Sequence, residues 1–222
     1  GNKTAFKKGG TIENATASGT VTLAGDSTDP ENLGGLVGQS HQGTITQSNA
    51  TGDVNGGDAT NVGGLVGYND ATQPSTIRET HATGAVDGGQ NVGGLVGKNV
   101  NDLVTESYAT GVVTGDWHIG GLVGQNDGTV TKSNATGTIT GSSSNVGGLV
   151  GKNWGNLNTS YATGVVTGDD RVGGLAGWNK GGTVTEIYAT GNVTSSGYAG
   201  GLVGSNTGTV NESYATGHLT GD

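Results

Sequence analysis

The chain has 222 residues, 48 of them Gly and only two Pro, with no Cys and a formal net charge of −9. Without Cys there is neither a disulfide nor a thiolate metal site, and abundant Gly without a Gly-X-Y period excludes collagen. Nine Lys and Arg against 18 Asp and Glu argue against a nucleic-acid partner, whose binding rests on phosphate neutralisation.

Residues 1–31 read as a degenerate first coil or N-terminal cap. Thr11-Ile12 and Thr20-Val21-Thr22 fit the pattern that follows, and Phe6 with Lys3, Lys7 and Lys8 marks a solvated end. From residue 32 to 222 the chain writes GGLVG seven times, starting at Gly34, Gly63, Gly93, Gly120, Gly147, Gly173 (with Ala176 in place of Val) and Gly200. The starts are 26–30 residues apart. A period in this range is the signature of stacked repeats, none of which can bury its apolar face alone.

The coils begin near Asn32, Asn61, Asn91, His118, Asn145, Arg171 and Tyr198. The fourth, HIGGLVGQNDGTVTKSNATGTITGSSS, contains three short β-branched runs, VGGLVG, GTVT and ATGTITG, separated by turn residues. This predicts an all-β fold, a three-sided parallel β-solenoid of about seven coils behind the degenerate first one. No apolar run approaches the roughly 20 residues of a membrane span. Extra residues at 55–60 and 70–75, with Pro74, belong at corners, because a lengthened strand would lose its register.

Alternation assigns the inward ladders. One is Val54, Val86, Val113, Ile139, Val166, Val193 and Leu219; another is Ile45, Ile77, Val104, Val130, Leu157, Val184 and Val210. In GGLVG, alternation puts Leu on one face and both Val positions on the other; Leu, present in every coil, is expected inward. Asn69, Asn99, Asn126, Asn153, Asn179 and Asn206, two residues after GGLVG, are expected to bond backbone at a corner.

The repeated GGLVG, followed by Asn and a Thr-Val-Thr strand, resembles the GLUG repeat of bacterial surface proteins, a motif of large adhesins and of some cell-surface peptidases that cleave immunoglobulin A. The resemblance implies an extracellular or cell-surface solenoid segment. It carries no catalytic residues, since no HExxH is present.

Nothing in the chain reads as an enzyme. His41, His81, His118 and His218 fall in different coils at different phases, and Asp169-Asp170 beside Arg171 reads as a solvated corner. Gly-Asp recurs at Asp26, Asp53, Asp58, Asp116 and Asp169, which leaves room for structural calcium at one corner. The calcium-binding nonapeptide GGxGxDxUx is absent and these aspartates form no column, so no cofactor is expected.

The outward positions of ATGxVTG form a three-wide array: Ser18/Thr20/Thr22, Thr51/Asp53/Asn55, Thr83/Ala85/Asp87, Thr110/Val112/Thr114, Thr136/Thr138/Thr140, Thr163/Val165/Thr167, Thr190/Asn192/Thr194 and Thr216/His218/Thr220. Thr suits solvent-facing strands, yet that preference does not account for the near absence of Lys, Glu and Arg. A flat lattice of hydroxyls and methyls, repeated at about 4.8 Å, is similar to the Thr-rich faces of solenoid antifreeze proteins, and an ice surface is the expected partner. A second face, Thr44/Thr46, Thr129/Thr131 and Thr183/Thr185, is interrupted by Arg78, Leu103, Asn156 and Asn158. The alternative is an adhesin segment or stalk contacting host or cell-surface glycan or protein, with Tyr108, Tyr161, Tyr188, Tyr214, Trp117, Trp154 and Trp178 available to stack on sugars. The sequence ends directly after the last coil's third strand, so either end-to-end self-association or a longer parent chain is expected.

Overall fold

The computed structural model describes residues 9–24, 31–71 and 75–221. Lys3, Phe6, Lys7, Lys8, Asp26 and Pro74 lie outside the described residues. Among the described residues the fold is a parallel β-solenoid without helix, and each strand pairs with its counterpart one coil away. The first coil joins the stack: Thr11–Glu13 pairs with Thr44–Thr46, Thr16–Ala17 with Asn49–Ala50, and Val21–Thr22 with Val54–Asn55.

Each of the seven coils from Asn32 on contributes to four ladders where three strands are expected from the sequence. In the fourth coil the strands are Val123–Asn126, Thr129–Thr131, Asn134–Ala135 and Ile139–Gly147, which supply the first to fourth ladders in that order. The extra ladder arises because two segments read as single strands are broken. ATGxVTG bends at its Gly, leaving Ala at the end of the third ladder and Val at the start of the fourth. At that bend the coils nearly touch, since a Cβ on Gly111 would sit 1.9 Å from the Gly84 carbonyl oxygen. Only Gly permits that approach.

VGGLVG breaks at its centre in the same way. In the third coil the fourth ladder ends at Gly93, the chain turns through Gly94-Leu95, and the first ladder resumes at Val96. The two arms then lie backbone against backbone. A Cβ on Gly97 would fall 2.5 Å from the Gly67 carbonyl oxygen and 2.6 Å from the Asn61 carbonyl carbon.

That turn also resolves the alternation problem. Leu95 is fully buried, as expected, but so are Val92 and Val96, because the break resets the inward phase on either side of Leu. Two cores result. The larger gathers Leu95, Val96, Val104, Ala109 and their counterparts; the smaller gathers Val86, Val92, Val113, Ile119 and theirs, enclosed by the long fourth-ladder strands. Burying each Val, Leu or Ile among them contributes about 1.5–3 kcal/mol. Both predicted ladders point inward, but Val210 is only half-buried and Leu219 is 44% exposed, since no described coil covers that last rung.

Polar ladders close the corners. Asn69 Nδ2 donates to Asn99 Oδ1, Asn99 to Asn126, Asn126 to Asn153, Asn153 to Asn179 and Asn179 to Asn206, at 2.8–3.1 Å. From Asn99 onward each Nδ2 also donates to a carbonyl of its own corner. The corner before the third ladder runs through left-handed residues, among them Gln47, Glu79, Glu106, Lys132, Thr159, Glu186 and Glu212. Behind it, Ser107, Ser133 and Ser160 each donate Oγ to the carbonyl two residues back and accept the N–H of the preceding coil. These devices satisfy buried polar groups that would otherwise each cost about 1–3 kcal/mol.

Candidate functional site

The Thr residues singled out in ATGxVTG all face outward, in columns fixed by the ladders. Thr51, Thr83, Thr110, Thr136, Thr163, Thr190 and Thr216 are exposed, one per coil. Each N–H donates to the Ala carbonyl of the preceding coil at 2.8–3.1 Å, so the column holds one register throughout. A second column runs Thr22, Asn55, Asp87, Thr114, Thr140, Thr167, Thr194 and Thr220 in direct strand register. Thr114 is half-buried and the others are exposed.

Between them lie Thr20, Asp53, Ala85, Val112, Thr138, Val165, Asn192 and His218. Two of these brace the backbone: Asp53 Oδ1 accepts the Ala85 N–H at 2.8 Å, and Asn192 Oδ1 accepts the His218 N–H at 3.0 Å. Thr138 stands between the exposed Val112 and Val165 of adjacent coils. The array is not one flat strand, however, because the glycine bend separates its columns. It is two straight columns along the solenoid axis with a bend between them.

At Asp87 the second column meets a shallow groove of about 340 Å³ lined by Asp58, Asp87, Thr114, Asp116, Thr140 and Ser142. Two of its three acids are engaged: Thr114 Oγ1 donates to Asp87 at 2.7 Å, and Ser142 Oγ donates to Asp116. Among the described residues no three of His, Asp and Glu are placed to hold one metal ion.

The second Thr face is a true strand ladder. Thr44, Thr46, Thr129, Thr131, Thr183 and Thr185 are half-buried on it, and Arg78 and Asn156 protrude.

The aromatic residues do not form one face. His81, Tyr108, Tyr161, Tyr188 and Tyr214 project from the third ladder and stack in runs, with ring centroids 4.8 Å apart for His81–Tyr108 and 5.0 Å for Tyr161–Tyr188. Trp117 sits apart on the fourth ladder. Trp154 and Trp178 belong to the first ladder and its corner, where Lys152 and Lys180 each lie over both indoles at 4.4–5.4 Å from the centroids. Arg171 lies 4.9 Å from the Trp178 ring. Burial, followed by the neighbouring Lys180, holds the Lys152 ammonium below its ordinary value.

The histidines are dispersed. His41 Nδ1 is 3.2 Å from Asp70 Oδ2, and His81 stacks on Tyr108. His118 closes a ladder not foreseen from the sequence: Asn61 Nδ2 donates to Asn32 Oδ1, Asn91 to Asn61, and His118 Nδ1 to Asn91 Oδ1 at 2.9 Å. Burial, then Lys152 and Lys98, pushes the His118 imidazole down to about 4. Asp170 pairs with Arg171 at 3.8 Å, an exposed ion pair of small energetic weight.

A family model described as the GLUG motif matches residues 29–55, 58–87, 88–114, 115–140 and 168–194. The coils at Asn145 and Tyr198 carry the same GGLVG outside the matched segments. No curated protein and no solved structure matches the chain.

Proposed function

The chain belongs to the GLUG-motif family, and from that premise we propose that it is a non-enzymatic extracellular binding protein whose Thr columns contact ice. The observation that carries this reading is the column Thr51 to Thr216: seven exposed threonines, one per coil, in unbroken register. Parallel ladders space such residues at about 4.8 Å, and each Thr offers a hydroxyl to anchor water and a methyl to space it. The second column adds five consecutive threonines from Thr114 to Thr220. Periodicity along the axis, rather than flatness across it, is what supports the reading.

Thermal hysteresis and recrystallisation inhibition by the purified chain are the test. Thr138→Tyr, on an exposed position between the columns, should abolish most activity with little change in stability. Thr46→Tyr, on the second face, should do much less. A chain that neither shapes nor slows ice growth overturns the reading, and loss confined to Thr46→Tyr moves the ice contact to the second face.

The stacked rings of Tyr161, Tyr188 and Tyr214 favour a second reading, a surface segment that contacts host or cell-surface glycan or protein. Aromatic rings with a polar tip suit a wet contact.

A further inference from the structure

Six Lys and Arg lie among the described residues: Arg78, Lys98, Lys132, Lys152, Arg171 and Lys180. Arg78 and Lys132 are drawn into pairs with Glu79 and Glu106. The other four, of which only Arg171 has a described acid within ion-pair distance (Asp170, 3.8 Å), gather around the outer side of the first ladder. Lys98 and Lys152 occupy the same column, separated by Gln125, and Trp178 follows Lys152 in it. Trp154 and Lys180 take equivalent places at the adjoining corner, bonding back to Asn126 and Asn153 of the preceding coils. The result is a two-by-two alternation: Lys152 beside Trp154 in one coil, Trp178 beside Lys180 in the next.

This arrangement is costly in isolation. Ammonium groups that converge on the same two indoles repel one another, and no Asp or Glu lies within ion-pair distance of Lys98, Lys152 or Lys180 among the described residues. The nearby Asp127, bound through both carboxylate oxygens to Gln125 Nε2 at 3.1 Å each, favours the Lys152 ammonium but is a single negative charge against three lysines. A chain of net charge −9 thus keeps a local excess of positive charge where the indole of Trp154, 45% exposed, stands beside it. Cation–aromatic contacts partly offset the repulsion, and an anion between the ammonium groups would complete the compensation.

We propose that Lys98, Lys152, Trp154, Arg171, Trp178 and Lys180 form a binding platform for an acidic saccharide chain. The indoles supply the apolar plates against which a pyranose ring packs its C–H face, and the cations meet its carboxylate or sulfate groups. The Lys98-to-Lys152 separation of two rungs, about 10 Å, lets one extended chain reach both along the axis. A polyphosphate is disfavoured because it offers no C–H ring face for the indoles of Trp154 and Trp178 to pack against. Apart from Arg171 the platform lies on the first ladder and its corner, away from the Thr columns, so the inference stands or falls independently of ice binding.

Tryptophan fluorescence titration of the whole chain tests it. The probes are oligogalacturonate and a sulfated galactan oligosaccharide, their neutral counterparts (methyl-esterified and desulfated), and single-stranded DNA. Binding of at least one acidic sugar is expected, at least tenfold tighter than its neutral counterpart and weakened by salt. Lys152→Gln with Lys180→Gln should weaken it at least tenfold, and Trp154→Ala should weaken it similarly at constant charge. Circular dichroism of these exposed-side variants should match the wild type, and their ice activity should be unchanged. Failure to bind either acidic sugar, equal binding of the neutral forms, or full binding by the Trp154→Ala variant overturns the proposal. DNA binding as tight as the sugar would also overturn it, by showing charge attraction without saccharide recognition.

Discussion

His118→Asn separates a structural ladder from its titration. His118 occupies the position held by Asn61 and Asn91 in the preceding coils and by Asn145 in the next, and its Nδ1 donates to Asn91 Oδ1 as an Asn Nδ2 would. The imidazole is half-buried beside Lys98 and Lys152, which lowers it to about 4 from an ordinary value of 6.5. The folded form therefore resists protonation that the unfolded form accepts. Stability from this source is fully present above about 6.5 and is lost as the pH falls toward about 4. The deficit works out to about 2 kcal/mol at pH 5 and about 3 kcal/mol near pH 4, at about 1.36 kcal/mol per unit. Urea midpoints followed by circular dichroism at pH 7 and pH 5 measure it. The wild type should lose about 2 kcal/mol more than His118→Asn across that interval, because all other titrating groups are common to both. Midpoints that fall in parallel would refute the reasoning, and would mean that His118 is protonated in the folded chain without penalty.

Asn126→Ala removes a buried amide that bonds Asn99, Asn153 and both backbone groups of Gly128. The loss should be about 2–5 kcal/mol by urea denaturation, against under about 1 kcal/mol for Asn206→Ala, whose amide is exposed on the last rung. Gly124→Ala would place a Cβ 2.5–2.6 Å from backbone atoms of Asn91, Val92 and Gly97, none of which can swing aside. It should cost at least about 3 kcal/mol, whereas Gly19→Ala, with nothing within 4 Å, should be nearly neutral in the same melt.

The period, the parallel stacking and the inward Val and Ile columns were legible because each is a one-residue identity repeated in register. The corner role of Asn69 to Asn206 was legible for the same reason. The fourth ladder was not. ATGxVTG alternates faultlessly, and all its outward residues but the half-buried Thr114 are indeed exposed, but alternation does not register a bend when the bending residue is a Gly on the inward side. The left-handed corner at Gln47, Glu79, Glu106, Lys132, Thr159 and Glu186 was hidden by its variety, since the backbone there constrains φ and leaves the outward side chain free. The Ser that follows in most coils was the available signal. The Lys–Trp alternation was missed because its four members are split between a strand column and a corner column. Grouping Trp154 and Trp178 with the tyrosines placed them on a ladder they do not share. A variable column holding Gln39, Tyr68, Lys98, Gln125, Lys152, Trp178 and Ser205 at one phase was the clue.

The distribution of outward residues along the axis bears on what each face meets. The inward columns, the Gly contacts and the Asn and Ser ladders satisfy packing and hydrogen bonding in nearly every coil, so an outward column contributes little to holding the stack together. On the proposed reading, its fidelity follows the reach of its partner. The column from Thr51 to Thr216 keeps one residue type through all seven coils, which a partner periodic over the whole length would require. The Lys–Trp alternation occupies two adjacent coils, with Lys98 two rungs away, a span suited to a short segment of an extended chain. A solid surface rewards each further rung that stays in register, because every added contact forms with no further loss of translational freedom. A saccharide segment gains nothing from rungs beyond its own length. The two faces thus fit partners of different extent, and the substitutions at Thr138 and at Lys152 with Lys180 address them separately.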